Sequence, residues 1–312
     1  MTSAAKKQPI GHKIKRGLMV SSIITGSTFF HGPPVLALGL TKLIKQSSKV
    51  DKTNIQITNS WLRVNNWLID QLLPKTQWNL EIDPQLDLNL NGRYLMTCNH
   101  QSWVDTTVNQ HFGLTRMPLT RFFTKWELIF IPFVGPAFKI LGFPMMKRHS
   151  KAQIAKNPAL KHKDLDEARK ACEQLLSQPF TLLNYLEGTR FSPEKHVKQQ
   201  SPYQNLLKPK AGGLALALNI LGHQLDAFVD MTIVYPDGTP DYADFWLGEV
   251  PRIAINLRKI DIPAWVLAGS YEEDADYRAK FQQWVDELWL EKDQLINTLK
   301  TQYSSHSNPL SV

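Results

Sequence analysis

Short apolar runs alternate with segments of helical spacing along most of this chain of 312 residues. The runs at residues 94–98, 121–126, 180–186 and 227–236 have the length and character of buried strands. Residues 164–178 are typical of the segments between them, with apolar side chains on one helix face. This alternation predicts an α/β fold with a mainly parallel central sheet flanked by helices. Ligands bind such sheets at the carboxyl ends of the strands, so the residues after each run are candidates for a functional site.

The segments outside this pattern complete the predicted fold. Residues 53–80 have amphipathic helical spacing, and Pro74 is expected to end that helix. Residues 251–260 alternate apolar with polar side chains, which is typical of an edge strand. A long polar helix is predicted from Glu272 to about Lys300.

Residues 17–41 carry no Asp, Glu, Lys or Arg. At about 1.5 Å per residue, a straight helix of this length would just cross the core of a bilayer. Proline inside a helix removes a hydrogen bond and clashes with the preceding turn, so Gly32-Pro33-Pro34 is predicted to divide the segment. Because basic residues flank both ends and positive charge marks the cytoplasmic side, a hairpin in one leaflet is favoured over a single span. A core helix and a secretory signal peptide are the alternatives.

Charge and cysteine content restrict the partners and the compartment. The formal net charge of +8 favours an anionic partner, such as a phospholipid surface, nucleic acid or an acidic or phosphorylated substrate. Two cysteines exclude a disulfide framework and indicate a reducing compartment. The nine histidines are scattered without ligand spacing, so no metal site is predicted. No aromatic-basic module for nucleic acid is visible either.

A histidine and an aspartate follow the first apolar run, which stops at Asn99. Five residues separate His100 from Asp105, and in one helix this spacing would place them on different faces. They can meet if the histidine lies in the loop and the aspartate in the first turn of a helix capped by Ser102. Asp105 could then orient the ring, leaving the other nitrogen to take a proton from a hydroxyl. The alternative is structural, because Ser102 and Asp105 also resemble a capping box.

Basic residues follow two other runs at the same edge of the predicted sheet. The sequence Glu187-Gly188-Thr189-Arg190 ends the run at 180–186, and Arg148 follows the short run at 143–147. Glycine lets the backbone approach a ligand closely, and the arginine fork suits a phosphate. Each arginine alone could be an ordinary surface residue. Together with the His/Asp pair they predict a pocket for a phosphorylated substrate beside a proton acceptor.

These motifs resemble the conserved blocks of a known enzyme family. The sequence "NHQSWVD" matches the NHxxxxD block of the glycerolipid acyltransferases, the lysophosphatidic acid acyltransferases and their relatives. "GFPMMKR" resembles the second block of that family and "EGTR" the third, in the same order and spacing. The nearest equivalent of the fourth block is "FVDMTIVYP", in which the proline comes late. The resemblance covers roughly residues 90–236 and is greatest to the branch that acylates lysophospholipids.

The resemblance implies a reaction and a set of site residues. The family's histidine deprotonates a glycerol hydroxyl, which attacks the thioester of acyl-CoA or acyl-carrier protein directly, without a covalent acyl-enzyme or a cofactor. The implied acceptor is a lysophospholipid, first of all 1-acyl-glycerol-3-phosphate, which would give phosphatidic acid. By this resemblance the catalytic residues are His100 as base and Asp105 as its orienting partner, and the substrate-binding residues are Arg148, Glu187, Gly188, Thr189 and Arg190.

The resemblance also implies an arrangement of the chain in the cell. Residues 1–52 are predicted to be a membrane anchor, residues 53–270 the catalytic domain and residues 271–312 a C-terminal amphipathic helix and tail. The enzyme is expected at the inner membrane with its active site facing the cytoplasm, against an anionic lipid surface and without a nucleic acid partner. Two alternatives remain: an acyltransferase for another lysophospholipid head group, and a catalytically silent lipid-binding adaptor.

Overall fold

The structure of the protein is a computed structural model that describes residues 10–42, 44–45, 47–146, 156–157 and 159–304. Its strands, in chain order, are β1 (Gln77–Ile82), β2 (Arg93–Cys98), β3 (Thr120–Phe122), β4 (Thr124–Lys125), β5 (Met145–Met146), β6 (Phe180–Tyr185), β7 (Ala227–Val234) and β8 (Arg252–Ile260). Its α-helices are α1 (Ile10–Thr41), α2 (Ser48–Leu72), α3 (Val104–Gly113), α4 (Val134–Ile140), α5 (Ala159–Leu175), α6 (Pro193–Gln199), α7 (Ala211–Leu221), α8 (Tyr242–Trp246), α9 (Ala264–Ala268) and α10 (Ala275–Gln302). Short 3₁₀ helices cover Trp126–Phe130 and Gly222–Gln224.

Six of the strands form one sheet in the order β1-β8-β7-β2-β6-β3. Neighbouring strands are parallel except for β7 and β8, which are antiparallel. The strands β4 and β5 form a separate parallel pair. The predicted fold class, α/β with a mainly parallel sheet and flanking helices, is therefore confirmed.

Both faces of the sheet are covered, which explains why its central strands are apolar throughout. Along β2, Tyr94, Met96 and Cys98 point into one core cluster, which α2 and α3 cover with residues such as Leu68 and Val108. Leu95 points to the opposite face, where α5, α7 and α10 supply the second core cluster. This alternation with a period of two fixes which side chains of a strand can reach each layer of helices.

The prediction of an edge strand at residues 251–260 is wrong. β8 lies between β1 and β7, and β1 is the edge strand on that side. The polar residues of β8 have partners on neighbouring strands: Asn256 donates to Glu81 of β1 over 2.8 Å, and Arg258 pairs with Asp230 of β7 at 3.0 Å. Their alternation with apolar residues therefore reflects cross-strand pairs rather than an exposed edge.

The predicted break at Gly32-Pro33-Pro34 is also wrong, because α1 runs without interruption from Ile10 to Thr41. Helix α1 packs against α2 and α4, and this packing stabilises it as one continuous helix despite the prolines. A Cβ at position 32 would lie 2.6 Å from the Cβ of Phe133, so the glycine allows the close approach of the two segments. Among the described residues α1 has the length and apolar character to cross a membrane, and only 28% of its most apolar window is buried. The hairpin favoured for residues 17–41 is therefore wrong as well, because an uninterrupted helix does not reverse its direction. That α1 attaches the protein to a membrane stays a prediction.

Candidate active site

The site begins where β2 ends, and a buried asparagine fixes that point. The side-chain amide of Asn99 donates to the carbonyl oxygen of Ile233 over 2.8 Å, and its oxygen accepts from the amide of Ile233 over 2.9 Å. The side chain thus continues the pairing between β2 and β7 by one residue. As a result His100 leaves the carboxyl edge of the sheet from a fixed position.

His100 and Asp105 meet at this edge. The histidine lies in the loop and the aspartate in the first turn of α3, and His100 Nδ1 is 2.9 Å from Asp105 Oδ2. The Asp105 side chain is fully buried, whereas that of His100 remains 15% exposed, so the ring is within reach of a substrate. With Nδ1 bound to the carboxylate, Nε2 is the nitrogen that can accept a proton.

The orienting and the capping roles of Asp105 turn out to be compatible. Besides His100, its Oδ2 accepts from the amides of Gln101 at 2.6 Å and Ser102 at 2.9 Å. The predicted N-cap is shifted: α3 begins at Val104, and Trp103 occupies the N-cap position without a side-chain bond. Ser102 still accepts from the amide of Val104, but its hydroxyl donates to Pro240. The loop is therefore wrapped around the carboxylate, which holds the aspartate ready for the histidine.

An aromatic ring covers the histidine. Tyr185, at the end of β6, stacks on His100 with 4.1 Å between ring centroids and 18° between planes. Burial raises the pKa of Tyr185 well above its ordinary value, so the ring remains a neutral phenol. An aromatic face attracts an adjacent cation, so the ring of Tyr185 can stabilise a positive charge on a neighbouring imidazole.

Glu187 lies beneath His100 and holds its backbone. The carboxyl is completely buried, with Oε1 accepting from the amide of His100 at 2.7 Å and Oε2 from the amide of Leu207 at 2.9 Å. Burial raises the pKa of Glu187 to about 8, against the two amide hydrogen bonds. Since both oxygens bind backbone, the geometry favours a positioning role for Glu187 over direct contact with a substrate phosphate.

The turn after Glu187 carries the predicted phosphate ligands. Gly188 has a φ of +66°, which glycine adopts without strain. Thr189 accepts a hydrogen bond of 2.9 Å from Lys195, which also donates to the carbonyl of Arg190. The guanidinium of Arg190 lies 4.1 Å from the ring centroid of Trp103, three residues after His100. The structure thus brings the EGTR cation next to the His100 loop.

The remaining candidates are Arg148, a metal site and the cysteine that precedes Asn99. Arg148 lies outside the described residues. Within the described part of the chain, no group of three or more His, Cys, Asp or Glu side chains is arranged to hold a metal. Cys98 is buried near His100, and burial raises the pKa of its thiol well above the ordinary value, which makes it a poor nucleophile.

Three features of the site were missed in the sequence. Tyr235 donates from its hydroxyl to Asp105 Oδ1 over 2.7 Å. The ring of Trp103 packs against the guanidinium of Arg190. Helix α10 binds the loop that faces Glu187. Tyr235 lies within the run at 227–236 and directly follows β7, so the strand-end rule applied to that strand could have found it. The signal for Trp103 was its place inside the NHxxxxD block.

Helix α10 holds the loop that faces Glu187. Asp293 accepts from the amides of Gln204 at 2.8 Å and Asn205 at 2.7 Å, and Trp289 donates from its indole to Leu207 at 3.0 Å. The carbonyl of Asn205 accepts in turn from Gln101, next to His100. A chain of hydrogen bonds therefore joins the C-terminal helix to the His100 loop.

Known proteins share both the sequence pattern and the fold of this chain. The family model described as Acyltransferase matches residues 78–240, a little over half of the chain. The 2-acyl-1-lysophosphatidylinositol acyltransferase of Saccharomyces cerevisiae is 26% identical over 149 residues, which are 42% of this chain and 36% of that protein. The chain thus matches little more than a third of that relative's length.

The solved structure of the 1-acyl-sn-glycerophosphate (LPA) acyltransferase PlsC from Thermotoga maritima has a similar fold. The TM-score is 0.52 at 17% identity, and the alignment covers 94% of this chain and 100% of that one. At this identity the likeness concerns the fold, including its N-terminal helices. All of the elements that carry the His100 site lie within the family match or directly against it.

Proposed function

Because the chain belongs to the acyltransferase family, we propose that it transfers a fatty acyl chain from a thioester to the free glycerol hydroxyl of a lysophospholipid. The observation that carries this proposal is the 2.9 Å contact between His100 and a buried, fully hydrogen-bonded Asp105 at the carboxyl edge of the sheet. That arrangement provides a base that can take a proton from a hydroxyl and return it.

The proposed reaction is a direct transfer. His100 Nε2 accepts the proton of the glycerol hydroxyl while the hydroxyl oxygen attacks the thioester carbonyl. The C–O bond forms, the C–S bond breaks, and the imidazolium returns its proton to the thiolate that leaves. Asp105 and Tyr185 stabilise the imidazolium between these steps. General base catalysis of this kind contributes roughly 10²- to 10⁴-fold to the rate, and the proposed steps call for no cofactor.

The phosphate of the acceptor is the second part of the proposal. Arg190 binds it, with Gly188 and Thr189 in the adjoining turn and Arg148 assisting, whereas Glu187 positions His100. Each charge-assisted hydrogen bond contributes about 1.5–3 kcal/mol to holding the phosphate.

We propose 1-acyl-glycerol-3-phosphate as the first acceptor to test. The name of the yeast relative makes lysophosphatidylinositol the second, and an acceptor panel with acyl-CoA or acyl-carrier protein as donor separates them.

We further propose that α1 attaches the enzyme to the membrane that holds its acceptor. Support comes from the large apolar side chains that α1 leaves exposed, such as Phe29 at 61% and Phe30 at 75%. Apolar patches of this kind mark membrane or protein contact surfaces. The basic residues at both ends of the segment suit the anionic cytoplasmic leaflet of the inner membrane.

Transfer of a labelled acyl chain to lysophosphatidic acid tests the proposal. His100→Ala is expected to lower the rate at least about 100-fold, because general base catalysis is lost. His223→Ala is the matched control, since that histidine is exposed and lies beyond α7, and it should leave the rate unchanged. Equal rates for the wild type and His100→Ala would refute the proposal. A protein that binds lysophospholipid without any transfer would be the silent adaptor instead.

A further inference from the structure

A buried tyrosine at the end of β7 contacts the proposed catalytic aspartate from the side opposite the histidine. Tyr235 is 5% exposed, and its hydroxyl donates to Asp105 Oδ1 over 2.7 Å. The other carboxylate oxygen, Oδ2, is the one that binds His100. The tyrosine therefore completes a row of three side chains, from Tyr235 through Asp105 to His100.

The tyrosine is a hydrogen-bond donor at any pH at which the enzyme works. Burial raises the pKa of Tyr235 well above its ordinary value, and the neighbouring charge of Asp105 raises it further. The other titratable groups near this position are Tyr185 and Cys98, both buried and with raised pKa values, together with the ring of His100 itself. Lys292, Asp230 and Glu187 are the further charged groups that act on Cys98.

The two halves of the His/Asp pair are held by one strand. Asn99, which precedes His100, is bound to the backbone of Ile233, and Asp105 is bound by Tyr235, two residues further along the chain. Ile233 belongs to β7 and Tyr235 follows it directly. The separation between the histidine loop and the aspartate is thereby tied to a rigid element rather than to the loop alone.

We propose that Tyr235 is a positioning residue of the acyl transfer, which fixes the carboxylate of Asp105 so that Oδ2 remains on His100. This inference rests on the proposed function, because it assigns Tyr235 a role in the reaction of His100. Without the hydroxyl, Oδ1 would be a buried oxygen without its donor, and the plane of the carboxylate against the imidazole would be fixed less precisely. A precise orientation of the catalytic groups is worth far more in rate than in stability.

Removal of the hydroxyl also changes the charge that His100 meets. In the wild type the hydrogen bond from Tyr235 stabilises negative charge on Oδ1 of Asp105. In Tyr235→Phe this hydrogen bond is lost, so more of the negative charge lies on Oδ2, beside the imidazole, and favours the protonated form of the ring. A protonated imidazole cannot act as a base, so the acidic limb of kcat/KM moves to higher pH.

Steady-state kinetics of the full-length enzyme in detergent test the inference. Tyr235→Phe is expected to lower kcat about 3- to 10-fold with an unchanged KM for lysophosphatidic acid, and to move the acidic limb upward by about half a pH unit. Tyr303→Phe is the matched control, because Tyr303 donates to Glu81 over the same 2.7 Å at the far edge of the sheet. It should change neither kcat nor the profile.

A second substitution covers the case in which Tyr235→Phe does not fold. Tyr235→3-fluorotyrosine keeps the ring and makes the phenol a stronger donor, so it should move the acidic limb to lower pH. A wild-type rate and profile for Tyr235→Phe, or no shift with 3-fluorotyrosine, would overturn the inference. His100→Ala assayed in parallel separates the two proposals: if His100→Ala keeps the wild-type rate, the proposed function itself fails.

Discussion

Helices α1 and α10 lie at the two ends of the described chain, and each contains residues whose burial is not what the composition of the helix suggests. α1 has 32 residues, and its apolar segment carries no charge from Gly17 to Thr41, yet Phe29 and Phe30 are mostly exposed. α10 has 28 residues and a polar composition, yet Lys292 is fully buried and Asp293 nearly so.

The partners available to a side chain, and not its polarity alone, therefore decide whether it is buried. The buried polar groups of α10 have partners in the sheet and in the site loop: Lys292 donates to Met231 at 2.6 Å and pairs with Asp230 at 2.8 Å. Buried charges are tolerated when they are paired in this way. For the exposed apolar residues of α1, the partner that we propose is the lipid of a membrane. Substitutions in either helix, or in the loop that α10 holds, test this difference.

The largest effect is expected for Lys292→Met, which leaves Asp230 buried with only Arg258 as its cationic partner among those described. Removing one member of a buried ion pair destabilises a protein by about 3–5 kcal/mol. Urea denaturation should show a loss of about 3 kcal/mol in the free energy of unfolding. Adding Asp230→Asn should restore part of it, because the unpaired charge is gone. A loss below about 1 kcal/mol would show that α10 does not depend on this pair.

The next effect is expected for Asp293→Ala, which removes the acceptor of the Gln204 and Asn205 amides. Buried donors left without a partner cost about 1–3 kcal/mol. Because Asn205 is bound to Gln101 beside His100, the rate of acyl transfer should also fall about tenfold. Glu287→Ala, on the exposed face of the same helix, is the control and should leave both quantities unchanged. Full activity in Asp293→Ala would contradict a role of α10 in the site.

Glu187 provides a pH-dependent test of the loop that α10 holds. Burial raises the pKa of Glu187 to about 8 in the folded protein, above the value of an unfolded glutamate near 4.3. A raised pKa favours the folded state at low pH, and this contribution is lost as the pH rises through about 8. The wild type should therefore lose on the order of 1–2 kcal/mol of stability between pH 6 and 8. In Glu187→Gln this decline should disappear, and an unchanged decline would assign it to other groups.

The smallest effect on folding is expected on the exposed side of α1. Phe29→Ser with Phe30→Ser should lower the free energy of unfolding in detergent by only about 0.5–1 kcal/mol, because the edge-to-face contact of Phe29 with Phe133 is the main packing that is lost. The same protein should sediment less with vesicles that contain anionic lipid. Val35→Ala, on the buried side, should show the opposite combination, a loss of stability without a loss of vesicle binding. Unchanged vesicle binding after the Phe substitutions would contradict the proposed membrane surface.

The parts of the molecule that depend on local pattern could be predicted from the sequence. The runs that became β2, β6 and β7 are apolar because both faces of these strands are covered, and this gave the correct fold class. The expected loop and first helical turn place His100 against Asp105, since their spacing allows contact in that arrangement. β1 was missed because most of it lies within residues 53–80, which were predicted as a helix, and because its residues are at most half-buried at the edge of the sheet.

The parts that depend on distant partners could not be predicted. Lys292 and Asp293 lie 61 and 88 residues from the backbone groups that they bind, and on a polar helix they are indistinguishable from solvated residues. Glu187 looked like a phosphate ligand because its role as an acceptor for the His100 amide depends on the pairing of β2 with β6. The prolines of α1 suggested a break because the packing that carries the helix past them involves α4, about a hundred residues away.

A double-mutant cycle of acyl transfer on His100→Ala and Asp105→Asn tests whether the two side chains form one catalytic unit. If the two side chains act as one unit, each single substitution should lower kcat by at least about 100-fold, and the double mutant should be no slower than His100→Ala alone. Circular dichroism of all three proteins should match that of the wild type. Wild-type kcat in His100→Ala, or losses that multiply in the double mutant, would contradict the account.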